Sequence, residues 1–235
     1  MLQSTSTFRL RRTSFQVKSQ VLGEPSGQIK GVTCRGYLPH VTREGATYFI
    51  TFRLADSVPV LTLRKLQQEK LQALSQAAVP KGNNSQEVHL RELEREHRRR
   101  MELCLDQSNG ACWLKQPEIA SLLANTLKFF QGKKYWLKAW VIMPNHVHAV
   151  VHPLPGFPLS SILHSWKRFS ARRANELLGR PGQPFWQSES FDHLIRNEEE
   201  HSRCCKYVVL NPVKAGLCQY PEQWRWSSAW VEEPS

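Results

Sequence analysis

Two histidines separated by one valine, His146 and His148, stand inside an otherwise apolar run, Trp140-Val-Ile-Met-Pro-Asn-His-Val-His-Ala-Val-Val-His152. In a strand, side chains two apart share a face, so both imidazoles would project side by side while Val147 and Ala149 turn the other way. Neutral imidazole is the commonest protein metal ligand, and a converging pair supplies half of a site. An isolated His-x-His equally describes two polar residues on a solvated strand face. A second stretch, Tyr207-Val-Val-Leu-Asn-Pro-Val-Lys-Ala-Gly216, offers a phenol and, at Asn211, an amide oxygen. Positions four apart on a helix share a side, so Tyr207 and Asn211 would stand one turn apart on the flank that Cys204 and Val208 turn inward. Two imidazoles, an amide and a phenol could hold an ion with open positions that polarises a phosphate oxygen. The phenol oxygen could then attack phosphorus and form a covalent intermediate. Mixed nitrogen and oxygen ligation suits Mg²⁺ or Mn²⁺, with Mn²⁺ the more tolerant of imidazole. His193 rivals Asn211 as third ligand, and Asn211-Pro212 also reads as the cap and first residue of a separate short helix.

Positioning these groups requires a sheet and at least one helix packed on it. Thr47-Tyr-Phe-Ile-Thr-Phe-Arg-Leu54 is β-branched and aromatic with a rough period of two, and reads as the first strand after the turn-like Gly36-Tyr-Leu-Pro-His40. Tyr135 to Ile142 and His146 to His152, joined by Met143-Pro-Asn145, form an antiparallel hairpin. Phe191 to Arg196 reads as a further strand. Asn197 followed by Glu198, Glu199 and Glu200 is a strong helix start, an N-cap with acids facing the helix dipole. That helix is expected to stop near Leu210, because the residue before Pro212 is disfavoured in α geometry. Pro117 opens another helix, with Ile119, Leu122, Leu123, Leu127 and Phe130 on its apolar face. From Leu61 to Leu105 the pattern is helical and charged, broken at Lys81-Gly-Asn-Asn-Ser85, and reads as a helical hairpin. Its basic run from Arg95 to Arg100 is more simply a solvated face than a DNA contact. Trp224, Trp226 and Trp230 would form an apolar lid over the core.

The formal charge of +12 and pI near 9.7 point to polyanionic partners. No apolar run approaches the roughly 18 residues of a membrane span, and no targeting segment with an apolar core is present. The six cysteines have no Cys-x-x-Cys pair, so reduced cytoplasmic thiols are the plainer reading than disulfides or a zinc knuckle. Residues 1–35 carry no acid before Glu24 and read as a poorly ordered basic arm. On the helix from Leu159 to Leu177, Trp166 and Phe169 interleave with Lys167, Arg168, Arg172 and Arg173. Such a mixture suits single-stranded nucleic acid, whose bases stack and whose phosphates are neutralised; it equally suits a core-facing aromatic pair beside solvated bases. His193 is a further candidate DNA contact.

Met143-Pro-Asn-His-Val-His148, Trp186-Gln187, Phe191-Asp-His-Leu-Ile-Arg-Asn197, Tyr207 with Asn-Pro-Val-Lys-Ala-Gly-Leu217, and Trp224-Arg-Trp-Ser-Ser228 occur in this order. The set resembles the REP-associated tyrosine transposases, a branch of the single-tyrosine HUH transposases. Gly36 to His40 and Tyr48 to Phe52 resemble that family's opening strand. The resemblance covers about 36–56 and 113–230 and implies an α+β fold, a ferredoxin-like (RRM-like) antiparallel sheet packed by helices. Within one domain over 36–235, the charged helical hairpin of about 60–112 would be an insertion. The same resemblance makes His146 and His148 the metal histidines, Tyr207 the nucleophile, and Asn211 the third-ligand position. It implies cleavage of single-stranded DNA beside REP-like palindromic hairpins, through a 5′-phosphotyrosine and a free 3′ hydroxyl, by a nucleoid-associated monomer or homodimer. A non-catalytic binder of structured single-stranded DNA or RNA is the alternative, and a nuclease in which water replaces Tyr207 is a third.

Overall fold

The computed structural model describes residues 29–35, 38–77 and 83–232. The expected N-terminal arm lies mostly outside them. Its last part, Ile29–Arg35, is strand β1, which pairs antiparallel with β2, Leu38–Arg43. The stretch read as a turn before the first core strand is thus partly a second strand of a hairpin.

The core sheet begins with β3, Thr47–Arg53, and continues with β4, Tyr135–Ile142, β5, His146–Pro153, and β6, Phe191–Ile195. These strands lie in the order β4-β5-β3-β6, antiparallel at each pairing. Between β3 and β4 the chain forms α1, Val60–Ala77, α2, Asn83–Asp106, and α3, Pro117–Lys128. Helix α4, Leu159–Leu177, joins β5 to β6, and α5, Glu198–Lys214, follows β6. With α1 and α2 set aside, the order βαββαβ and this strand sequence are the ferredoxin-like arrangement that the family resemblance implies.

Strand alternation sorts the core into two layers. On one face Tyr48, Ile50, Phe52, Val147, Ala149 and Val151 pack against Ile119, Leu123 and Leu127 of α3 and Ile162 and Trp166 of α4. On the other, Phe49, Val141, Val150 and Ile195 meet Val208 of α5. In β4 a bulge between Leu137 and Ala139 resets the alternation, so that Ala139 and Val141 lie under α5. Two aromatic polar tips in the first layer are satisfied. The Trp166 indole donates to the Tyr135 hydroxyl at 2.9 Å, which donates to Leu127 O at 2.8 Å. Burying a side chain of this size stabilises the fold by about 1.5–3 kcal/mol.

Helix α5 starts as expected, Asn197 Oδ1 accepting from Glu200 N at 2.8 Å. It does not stop before Pro212, which lies inside the helix. Proline removes one backbone donor, but only in the last turn, and the turn is closed by Ala215 N to Asn211 O and Leu217 N to Pro212 O. Asn211 is therefore a helix-interior residue and caps no second helix. In the tryptophan-rich tail, Trp226 and Trp224 pack against the two core layers as expected, and the backbone has a further role. It runs along the free edge of β4, with Ile142 N bonded to Trp226 O, Ser228 N to Trp140 O and the Trp224 indole to Ile142 O. It closes a sheet edge, and Trp230 is exposed.

Helices α1 and α2 touch, and Arg100 pairs with Glu69 at 2.8 Å. The end of α2 is fastened to the sheet. At Gly110, φ is +86°, and an added Cβ would lie 2.6 Å from Asp56 O. Only glycine tolerates both conditions. The next amide, Ala111 N, donates to Asp56 Oδ2 at 2.8 Å. Among the described residues no helix is long and apolar enough to cross a membrane, and no disulfide joins the described cysteines.

Candidate active site

His146 and His148 share one face of β5, as period-two spacing requires, but that face is covered. Both are buried, at 1% and 0% exposure, beneath α5 and α2. They are neighbours of Phe49, which stacks on His148 with ring centroids 5.5 Å apart, and of Tyr207, whose ring meets both Phe49 and His148 edge-on.

Hydrogen bonds fix the orientation of the imidazoles. Asn145 is fully buried, and its Nδ2 donates to Leu105 O and Asn109 O, each at 3.2 Å. Its Oδ1 is therefore turned to His146 Nδ1, 2.7 Å away. An amide oxygen only accepts, so His146 carries its proton on Nδ1 and presents a lone pair at Nε2. His148 Nδ1 is held by Thr51 Oγ1 at 2.8 Å. The two Nε2 atoms face each other at 3.0 Å. Two ligands at right angles with bonds of about 2.1 Å lie about 3 Å apart, so the pair fits one divalent ion. A partner on the remote ring nitrogen is also what metal-bound histidines ordinarily have.

A carboxylate from the charged helical hairpin, which the sequence does not mark as a site residue, completes the cluster. Glu102 of α2 places Oε2 at 3.3 Å from His148 Nε2 and accepts a hydrogen bond of 2.8 Å from the Tyr207 hydroxyl. Ligand atoms of Glu102, His146 and His148 all lie within 4.8 Å of one another. Nothing in the periodicity of α2 marks Glu102, because its use depends on how the helix docks. Asn145 and Thr51 were also missed. Asn145 was visible only as a turn residue next to the histidines.

The electrostatics follow from burial and these contacts. Desolvation first, then the neighbouring His148, push His146 down to about 3, so it is neutral near pH 7. Burial disfavours the Glu102 carboxylate, but His148, His146 and the Tyr207 hydrogen bond outweigh it and hold it at about 2. Burial pushes the Tyr207 phenol up, and the charge and hydrogen bond of Glu102 push it further. Such a phenol is a poor nucleophile unless positive charge arrives beside it. Lys214 Nζ, 4.5 Å from the ring centroid, is one cation in place.

Asn211 lies one turn from Tyr207 on α5 and is 2% exposed. Its amide acts against burial and Glu102 by lowering the phenol pKa, while Oδ1 is buried with no hydrogen-bond partner. His193 stands apart, with Nε2 2.8 Å from Glu200 Oε1. Of the basic helix residues, Lys167 is drawn inward, its Nζ bonded to Gln187 O, Ser188 O and Ser190 Oγ. Burial, then Arg53, lower its pKa to about 8. Arg168, Arg172 and Arg173 are exposed, and the last two pair with Glu176. Trp166 belongs to the core at 1% exposure, so it offers no stacking surface, whereas Phe169 is 45% exposed.

Residues 114–209 match the family model described as IS200-like transposases. That segment carries α3 to β6 and Tyr207, but neither Glu102 nor Asn211. A REP-associated tyrosine transposase of Escherichia coli (strain K12) is 25% identical over 103 residues, which span 43% of this chain and 59% of that protein. The chain thus resembles the REP-associated tyrosine transposases, although the match covers less than two thirds of that relative. A solved structure of a REP-associated tyrosine transposase bound to a REP hairpin aligns over 84% of this chain and 82% of that one, at 18% identity and a TM-score of 0.45.

Proposed function

We propose that the protein is a metal-dependent endonuclease and strand transferase for single-stranded DNA, acting at REP-like palindromic hairpins through a 5′-phosphotyrosine. The observation that carries this reading is the convergence of His146 Nε2, His148 Nε2 and the Tyr207 hydroxyl in one buried cluster. The likeness to IS200-like transposases over residues 114–209 supports it, and the relative's name supplies the association with REP elements. A binding module needs no such cluster.

Mg²⁺ or Mn²⁺ would be held by His146 and His148, with the orphaned Oδ1 of Asn211 as a third ligand. When bound, the ion would neutralise phosphate charge and lower the pKa of the phenol. The protein's own groups do the rest. Asn145 and Thr51 hold the imidazoles in register. Phe49 and the edge of α5 keep the site dry, which strengthens each electrostatic contact. The Tyr207 oxygen forms a bond to phosphorus as the bond to the upstream 3′ oxygen breaks. The electron pair leaves with that oxygen, which takes a proton and becomes a free 3′ hydroxyl. The phenol proton is already directed at Glu102. The phosphotyrosine conserves the phosphodiester energy, so a 3′ hydroxyl can return and reseal a strand.

The test is cleavage of a REP-like hairpin carrying a single-stranded flank, with Mn²⁺, against a blunt duplex of the same sequence. Cleavage of the flanked hairpin, with an upstream product that a polymerase can extend, is expected. Equal cutting of both substrates, or no cutting of any hairpin while binding persists, would contradict the proposal.

A further inference from the structure

Glu102 lies outside the segment that matches the family model, on a helix that the ferredoxin-like arrangement does not require. Yet its carboxylate is directed into the histidine pair. Oε2 is 3.3 Å from His148 Nε2, and the side chain is only 14% exposed. Several ties determine its position. One turn further along α2, Leu105 O accepts from Asn145, the residue that orients His146, and Asn109 O accepts from the same amide. Beyond it, Gly110 sits against Asp56 at the end of β3, where a side chain would not fit. The docking of α2 and the orientation of the histidines thus share one buried asparagine.

We propose that Glu102 is itself a ligand of the divalent ion, so that α2 completes the metal site. This rests on the metal-dependent reading above and adds to it a ligand from outside the matched segment. The cluster then offers two imidazole nitrogens and a carboxylate oxygen, a donor set suited to Mn²⁺. It neutralises part of the ion's charge and leaves positions for phosphate. It also makes the helices between β3 and α3 a condition of metal binding.

The test uses full-length protein without DNA. Mn²⁺ binding is followed by loss of the free-ion EPR signal in the parent, Glu102→Gln, Tyr207→Phe, Asn211→Leu and His146→Ala. Loss of a ligand should weaken Glu102→Gln on the order of 10- to 100-fold, the size already seen when supporting groups of metal sites are removed. Tyr207→Phe keeps the carboxylate and should bind at least as tightly as the parent. Parental affinity in Glu102→Gln, with loss in His146→Ala or Asn211→Leu, would overturn the role of Glu102 and leave the proposed reaction standing. Failure of the parent to bind Mn²⁺ would overturn both. A second measurement needs no variant: ENDOR of the Mn²⁺-loaded parent, labelled with ¹³C at glutamate carboxylates. A coupled carboxylate carbon is expected, and its absence would overturn the proposal even if Glu102→Gln fails to fold.

Discussion

Asn145 links two functions that the sequence shows only as neighbours in a Pro-Asn-His string. Its amide satisfies two carbonyls at the end of α2 and sets the tautomer of His146. Asn145→Ala would remove one donor from each carbonyl and leave the His146 Nδ1–H buried without a partner, at about 1–3 kcal/mol for that orphaned group. Chemical denaturation should show a loss of roughly 2 kcal/mol, and Mn²⁺ affinity should fall in the same variant. An unchanged midpoint and affinity would mean that water replaces the amide. The histidine pair itself was legible, because strand periodicity alone puts both rings on one face. Glu102 was not, since a glutamate among arginines and glutamates on a helix has no local mark of burial. The basic residues of α4 show the same limit from the other side. Spacing could not say that Lys167 would be spent on the carbonyls of Gln187 and Ser188.

At the scale of elements, the strands and most helices were readable from periodicity and caps, and the errors lie where tertiary packing overrides a local rule. Pro212 does not end α5, because the lost bond falls in the last turn and Val208, Asn211 and Pro212 are all buried there. The tail caps the edge of β4, a use of tryptophans that composition does not distinguish from a lid. Two element junctions invite measurement. Gly110→Ala would force a side chain onto Asp56 O at positive φ, and should lower stability by about 1–3 kcal/mol in urea. At the start of α5, Glu200 is joined to His193 and to Arg196 N. Burial raises its pKa, but these bonds prevail and hold it below the usual carboxylate range. Its folded pKa is depressed, so its contribution is present above the unfolded value of about 4.3 and is lost as pH falls through the folded value. Glu200→Gln should therefore lose about 1 kcal/mol near pH 7, and the gap to the parent should close below about pH 4. A gap independent of pH would assign the effect to packing.

For the whole molecule, the proposed function assigns attraction for DNA to the charge of +12 on a ferredoxin-like scaffold, and the chemistry to the buried cluster. Helix α4 packs on the sheet face opposite α5, so DNA that touches both α4 and the site must pass around a sheet edge. Replacing Arg168, Arg172 and Arg173 together by glutamine should lower the slope of log affinity against log salt by up to about 2, at about 0.7 per phosphate contact on a single strand. An unchanged slope in fluorescence anisotropy would place the DNA elsewhere. The central claim is that Tyr207 becomes joined to DNA. Tyr207→Phe keeps the ring between Phe49 and His148 and removes only the attacking oxygen. The most direct measurement is a denaturing gel of single-stranded hairpin DNA, labelled at either end and incubated with Mn²⁺ and each protein. The parent should yield a protein–DNA adduct carrying the label downstream of the cut, and Tyr207→Phe none. Cleavage by Tyr207→Phe at the parental rate, with no adduct in either protein, would contradict the claim and make water the nucleophile.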